Sequence, residues 1–155
     1  SLVCVVARIG LSWNTGVRTT FRVSSVLNRD VSNFGKKHLT DGRPDTCWNS
    51  DQGTPQWICL DFSAPVALSE IHLQFQGGFA GKEVRVEAAS SGATACCRIF
   101  PEDSNGLQKF TLELDTPVER MRIVFCSSTD MFGRIVLYHL AVCGKKCNSE
   151  SNSLD

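Results

Sequence analysis

The order of apolar and polar positions is that of short strands. Ile71, Leu73 and Phe75 alternate with His72, Gln74 and Gln76, as a strand with one buried face requires. Val84, Val86 and Ala88 alternate with Glu83, Arg85 and Glu87. Phe110, Leu112 and Leu114 alternate with Lys109, Thr111 and Glu113, and Met121, Ile123 and Phe125 with Arg120 and Arg122. The run 57–62 is short, aromatic and bounded by Pro55 and Pro65. Residues 135–143 are apolar on both parities, which predicts a central strand. Fainter patterns at 21–23 and 95–100 suggest further strands. No window predicts a helix longer than two turns. Turn dipeptides punctuate the runs: Asp41-Gly42, Gly77-Gly78, Ser91-Gly92, Asn105-Gly106 and Phe132-Gly133. Short alternating strands with long loops predict an all-β, antiparallel β-sandwich, a jelly roll of about eight strands. The sandwich is placed at 22–144. Residues 1–21 lack a clean period and read as an irregular or inserted segment, and 145–155 as a disordered polar tail.

Composition narrows this picture. With 155 residues, 42% hydrophobic and 21% charged, the chain supports one self-sufficient core. Lys and Arg number 16 and Asp and Glu number 16, and this neutrality disfavours direct nucleic-acid binding by bulk charge. No run is long and apolar enough to span a bilayer, and no secretory leader is read, because the run 2–7 meets Arg8 at once. No N-x-[ST] sequon is present; Asn14, Asn49, Asn148 and Asn152 are followed by Ser or Thr one position early. These signs lean intracellular. There the eight cysteines stay reduced, although their even number permits bridges. Cys59, Cys97, Cys126 and Cys143 lie in apolar runs and read as packing residues. Cys143 and Cys147 have C-x3-C spacing without a second pair or a nearby His, so packed thiols are preferred to a metal site.

One block is far more specific. It runs Asp41-Gly42-Arg43-Pro44-Asp45-Thr46-Cys47-Trp48-Asn49-Ser50-Asp51 and then Pro55-Gln56-Trp57-Ile58-Cys59-Leu60-Asp61-Phe62. It resembles the D-G-x-x-x-T-x-W turn and W-x-x-x-D-[FL] strand of discoidin-type domains (coagulation factor five/eight type C), which are galactose-binding-like jelly rolls. Gly42 and Pro44 shape the turn, Asp41 and Asp45 can accept from its amides, and Trp48 and Trp57 are expected as core anchors. The stretches 22–29, 34–39, 75–79 and 130–134 are also similar, in order, to a family of small intracellular proteins that associate with an orphan nuclear receptor, testicular receptor four. That resemblance implies a nuclear and cytoplasmic protein that represses the receptor by hindering its DNA binding. Residues 5–21 look inserted relative to that family.

No nucleophile elbow, H-E-x-x-H, phosphate loop or dinucleotide fingerprint is present, so no enzyme and no cofactor are expected. In several relatives the D-G turn holds calcium, which makes Asp41, Asp45 and Thr46 candidate ligands, but His139 falls where those relatives carry a Glu. Stabilisation of the turn itself is preferred. A protein partner is expected at loops at one end of the sandwich: Phe34, Lys36, Lys37 and His38; Phe79; and Asp130, Phe132 and Arg134, each loop joining an aromatic to a basic group. The resemblance also leaves two rivals. One is a secreted glycan- or phospholipid-binding domain, for which Cys4 with Cys143 or Cys147 is the implied disulfide. The other is a scaffold subunit of an intracellular assembly.

Overall fold

A computed structural model describes residues 3–4 and 16–147. Among them the strands are β1 (Val3–Cys4), β2 (Thr19–Val23), β3 (Trp48–Asn49), β4 (Gln56–Phe75), β5 (Val84–Ser90), β6 (Ala93–Ile99), β7 (Leu107–Thr111), β8 (Val118–Phe125) and β9 (Val136–Lys146). Every pairing is antiparallel. β4 belongs to both layers. Its first half pairs with β2 and β8, its second half with β7 and β9. One layer is therefore β6–β5–β8–β4–β2, and the other is β7–β4–β9 with β1 and β3 on the far side of β9. The expected sandwich is present, and the position of β9 between neighbours explains why its sequence is apolar on both parities.

The sequence pattern broke β4 at Pro65, but the strand runs through it. The ladder with β8 shifts register between Asp61 and Val66, so the missing proline N–H falls where pairing is already interrupted. The carbonyl of Pro65 instead accepts the amide of Cys147 at 3.1 Å. β7 stops at Thr111, short of the expected Leu114, although Leu112 is buried. β2 begins at Thr19, inside the stretch expected to be irregular. The rest of that stretch and most of the tail (residues 1–2, 5–15 and 148–155) lie outside the described residues.

The core lies between the layers and follows the predicted alternation. Ile71, Leu73, Phe75, Val84, Val86, Met121, Ile123 and Phe125 are all fully buried. Phe125 stands at the centre, with Phe75 edge-on at 5.9 Å and Trp48 at 6.1 Å between ring centroids. Among the described residues helix is confined to single turns over Leu27–Arg29, Val31–Phe34 and Lys36–Leu39, where Leu39 enters the core. No helix among the described residues is long and apolar enough to cross a membrane.

Candidate functional site

Strand register brings several loops to one end. Gln56 pairs with Phe125, Phe125 with Val84, Val84 with Ile99, and Phe75 with Leu137. Loops 51–55, 76–83, 100–106 and 126–135 therefore emerge together, and hydrogen bonds cross-link them. The amide of Thr129 donates to the Ala80 carbonyl (2.8 Å), that of Val136 to Phe79 (3.1 Å) and that of Gly53 to Phe132 (2.7 Å). The amides of Gly77 and Gly78 donate to the side chains of Asn105 and Asp103, both at 2.7 Å.

Within this end, the expected residues divide into a brace and an exposed edge. The Asp130 carboxylate accepts from the backbone amide of Arg134 at 3.0 Å and faces its Nε at 3.4 Å. The guanidinium of Arg134 also stacks over Phe79, 4.9 Å from the ring centroid. Asp130, Arg134 and half-buried Phe79 thus hold the loop from inside. Phe132 is 55% exposed and its neighbour Met131 88% exposed, and these two project from the braced base. The sequence reading missed Met131, and it missed the 51–55 loop, which carries a cis Thr54–Pro55 bond and lines the shallow recess beside Phe132.

The third expected loop is elsewhere. Lys36 Nζ donates to the Phe21 carbonyl at 2.6 Å, and Lys36 and Lys37 line a recess together with Arg22. His38 is braced from both ring nitrogens, by Asp41 at 3.1 Å and the Ser32 carbonyl at 2.9 Å. Phe34 is half-buried in its short helix. These residues flank β2, not the cross-linked loops.

The D-G turn serves itself. Asp41 accepts from the Thr46 hydroxyl (2.5 Å), from the Arg43 amide (2.9 Å) and faces His38. Asp45 faces the Arg43 guanidinium at 3.5 Å and is mostly exposed. A donor set of this kind, with a hydroxyl, an imidazole and a guanidinium against the carboxylates, does not fit a calcium cage. Burial alone pushes the Asp41 carboxyl up, but the bonds from Thr46, Arg43 and His38 outweigh it and hold it below its ordinary 3.8. The linked stability is therefore present above that value and lost as pH falls through the lower, folded-state one. Asp41→Asn is expected to cost about 1.5–3 kcal/mol at pH 7. Urea unfolding at several pH values checks this, with the gap between the two proteins closing below pH 3.8.

The outer face of the five-stranded layer is an arginine surface that strand alternation concealed. Arg22, Cys59, Arg122, Glu87 and Cys96 form one row across five strands, and Asp61, Arg120 and Ala89 part of the next. Arg120 and Arg22 share Asp61 at 2.6 and 3.6 Å, Arg85 pairs with Glu87 at 2.8 Å, and Arg98 with Glu83 at 2.8 Å. Arg122 has no carboxylate partner in this set and lies over Trp57, 5.3 Å from its ring centroid. Trp57, expected in the core, is thus a half-buried outer-face residue; Gln56 and Ile58 on either side point inward. A recess of about 690 Å³ runs over this face.

The family model described as a NedA-like, galactose-binding domain matches residues 38–124. The chain is 52% identical to the nuclear receptor 2C2-associated protein of Xenopus tropicalis over 128 residues, 81% of this chain and 93% of that one. It is 47% identical to the protein of the same name from Homo sapiens over 131 residues, 83% and 93% of the two chains. Among solved structures, it resembles the family 32 CBM from C. perfringens NanJ in complex with galactose. The TM-score is 0.66 at 16% identity, covering 81% and 93% of the two chains, a likeness of fold alone. The discoidin-like sandwich, with half the sequence shared along nearly the full length of these relatives, places the chain in the nuclear receptor 2C2-associated protein family.

Proposed function

We propose that this protein is a non-enzymatic interaction module of the nucleus and cytoplasm that binds an orphan nuclear receptor and represses it by hindering its DNA binding. The relatives' shared name supports a protein partner. The observation that carries the placement is the Met131–Phe132 pair, exposed at 88% and 55% on a loop locked by Asp130, Arg134 and Phe79. Large apolar side chains on a rigid base bind with little ordering cost, which is the character of interface anchors. Phe132, Phe79, Asp130 and Arg134 thus act in two ways, the first as contact and the others as support. Lys36 and Lys37, beside Arg22, belong with the arginine surface and not with this edge.

The test is binding of the full chain to a purified receptor of the type named in its relatives. Met131→Ala with Phe132→Ala is expected to weaken it at least about tenfold, or about 1.4 kcal/mol, while Arg120→Ala with Arg122→Ala leaves it unchanged. The reverse result moves the interface to the arginine surface. That second reading is favoured by one observation, the Arg122 guanidinium held on Trp57 with no carboxylate partner among the described residues. Unchanged binding in both variants rejects both placements.

A further inference from the structure

Two recesses meet at Arg22. One, of about 690 Å³, runs over the outer face of the five-stranded layer, where Arg22, Cys59, Arg122 and Glu87 stand in register on β2, β4, β8 and β5. The other, of about 540 Å³, lies between the end of β2 and the single turns that follow it, and Val23, Val26 and Val31 form its apolar floor. Arg22 lines both, so the two are continuous. The backbone before the valine recess is strained. Asn28 and Arg29 are successive non-glycine residues at φ 52° and 57°, in the left-handed region. Backbone held this way is costly and is kept where its surroundings fix it, ligand clamps among them. The amides of Arg29 and Asp30 close the turn on the carbonyls of Val26 and Leu27 at 2.9 and 3.0 Å. Asp30 turns both carboxylate oxygens to Asn33, at 3.1 and 2.8 Å. Val31 opens the next turn and is left 62% exposed, while Val23 and Val26 lean on the core.

The walls are cationic. Arg22, Lys36 and Lys37 line the valine recess, with no carboxylate among its lining residues. Arg22, Arg85, Arg120 and Arg122 line the other recess, with Glu87 the one acid among its lining residues. Asp61 is shared by Arg22 and Arg120. Six cations therefore face two carboxylates, in a chain whose charges otherwise balance at 16 of each sign. Lys36 spends one hydrogen on the Phe21 carbonyl, and Arg85 is paired with Glu87. Lys37 has no acceptor among the described residues, nor has Arg122, whose guanidinium rests on Trp57.

We propose that this continuous surface docks an extended acidic segment of another protein, with an apolar side chain seated on Val23, Val26 and Val31 and carboxylates running over Arg22 to Arg122. Charge complementarity selects an anion, and the planar guanidinium fork suits carboxylates, as the 2.6 Å contact of Arg120 with Asp61 already shows on this face. The valine floor selects a peptide. A nucleic acid offers it no aliphatic side chain, and a chain of zero net charge exerts no long-range pull on phosphates. β2 and β5 lie three strand spacings apart, about 14 Å, which about four or five extended residues cross. The inference does not depend on which surface the receptor takes.

The test measures fluorescence polarisation of a labelled peptide, one leucine followed by glutamates and about ten residues long, which reaches about 33 Å when extended. It is titrated with the full chain at about 0.15 M salt, where long-range attraction is screened. Saturable binding is expected. Arg22→Gln with Arg122→Gln is expected to weaken it at least about tenfold, the loss of charge-assisted bonds. Serine in place of the probe's leucine is expected to weaken it about tenfold in the wild-type chain and hardly at all in Val31→Ser, which ties that side chain to the valine floor. The substituted side chains are exposed, and the change of probe needs no variant. Met131→Ala with Phe132→Ala leaves peptide binding unchanged, and the probe contains no receptor, so the two surfaces stand or fall separately. Absence of saturable binding overturns the proposal, as does equal affinity for the leucine and serine probes. Tighter binding of a short DNA duplex than of the peptide overturns it too, and assigns the face to phosphates.

Discussion

Trp48→Ala is expected to cost about 3–5 kcal/mol of unfolding free energy, the range for deleting a fully enclosed large aromatic, while Trp57→Ala costs about 1 kcal/mol. The two tryptophans stand nine positions apart in one motif, yet they face opposite ways. Trp48 is fully buried and packs on Phe125, so its removal opens a cavity at the centre of the aromatic cluster. Its Nε1 also donates to the Ser25 carbonyl at 2.9 Å. The 24–26 loop is held further by Ser25 Oγ, which donates to Gln56 at 2.7 Å and accepts the Asp51 amide at 2.9 Å. Losing Trp48 therefore loosens both the core and the connection from β2. Trp57 has solvent on one side and the Arg122 guanidinium over its ring, a contact of about 0.5–1 kcal/mol at an exposed site. Denaturant midpoints for the two variants and for Trp48→Phe measure this. Equal losses for the two alanine variants would show the assignment of faces to be wrong.

These two residues also mark the limit of what local pattern reveals. Alternation is a short-range property, so 71–75, 84–88 and 121–125 each disclosed their buried face, and the D-G block disclosed its turn. Which strands lie side by side depends on contacts distant in the chain. The Arg120–Asp61 pair spans 59 positions and the His72–Cys143 contact 71, and neither the arginine surface nor that contact leaves a local trace. Trp57 was misplaced for the same reason, because Ile58, Cys59 and Leu60 are all buried and blur the parity of its strand. Pro65 misled for a different reason, since a proline at a register shift breaks no hydrogen bond. At the candidate interface, the loops of Phe79 and Phe132 were legible as aromatic–basic pairs and do meet, whereas the 33–38 loop carries the same signature and sits beside β2. Side-chain type at a turn indicates a surface; only topology indicates which surfaces are shared.

Gly133→Ala, the second large effect, is expected to cost about 2–4 kcal/mol and to disturb partner binding without changing any side chain proposed to touch the partner. Gly133 has φ +83°, a conformation that costs an L-residue about 1–2 kcal/mol. A Cβ there also meets the backbone of Gly53, 2.8 Å from its carbonyl carbon and 3.0 Å from its oxygen, and a backbone cannot swing aside as a side chain can. Moving Gly53 breaks its 2.7 Å bond to the Phe132 carbonyl, the link that fixes the exposed edge to the cis-proline loop. Gly53→Ala supplies the control. Its φ is +102°, and a Cβ there has nothing within 4 Å, so it incurs backbone strain without the collision and is expected to cost about 1–2 kcal/mol. The difference between the two variants in urea unfolding isolates the contact between the loops. Equal losses would mean that the loops do not press on one another. If Met131 and Phe132 are the anchors, Gly133→Ala weakens receptor binding more than Gly53→Ala does at a temperature where both are folded, because only the first displaces the edge that carries them. Equal binding by the two variants would separate that edge from the partner and leave the arginine surface as the site to examine.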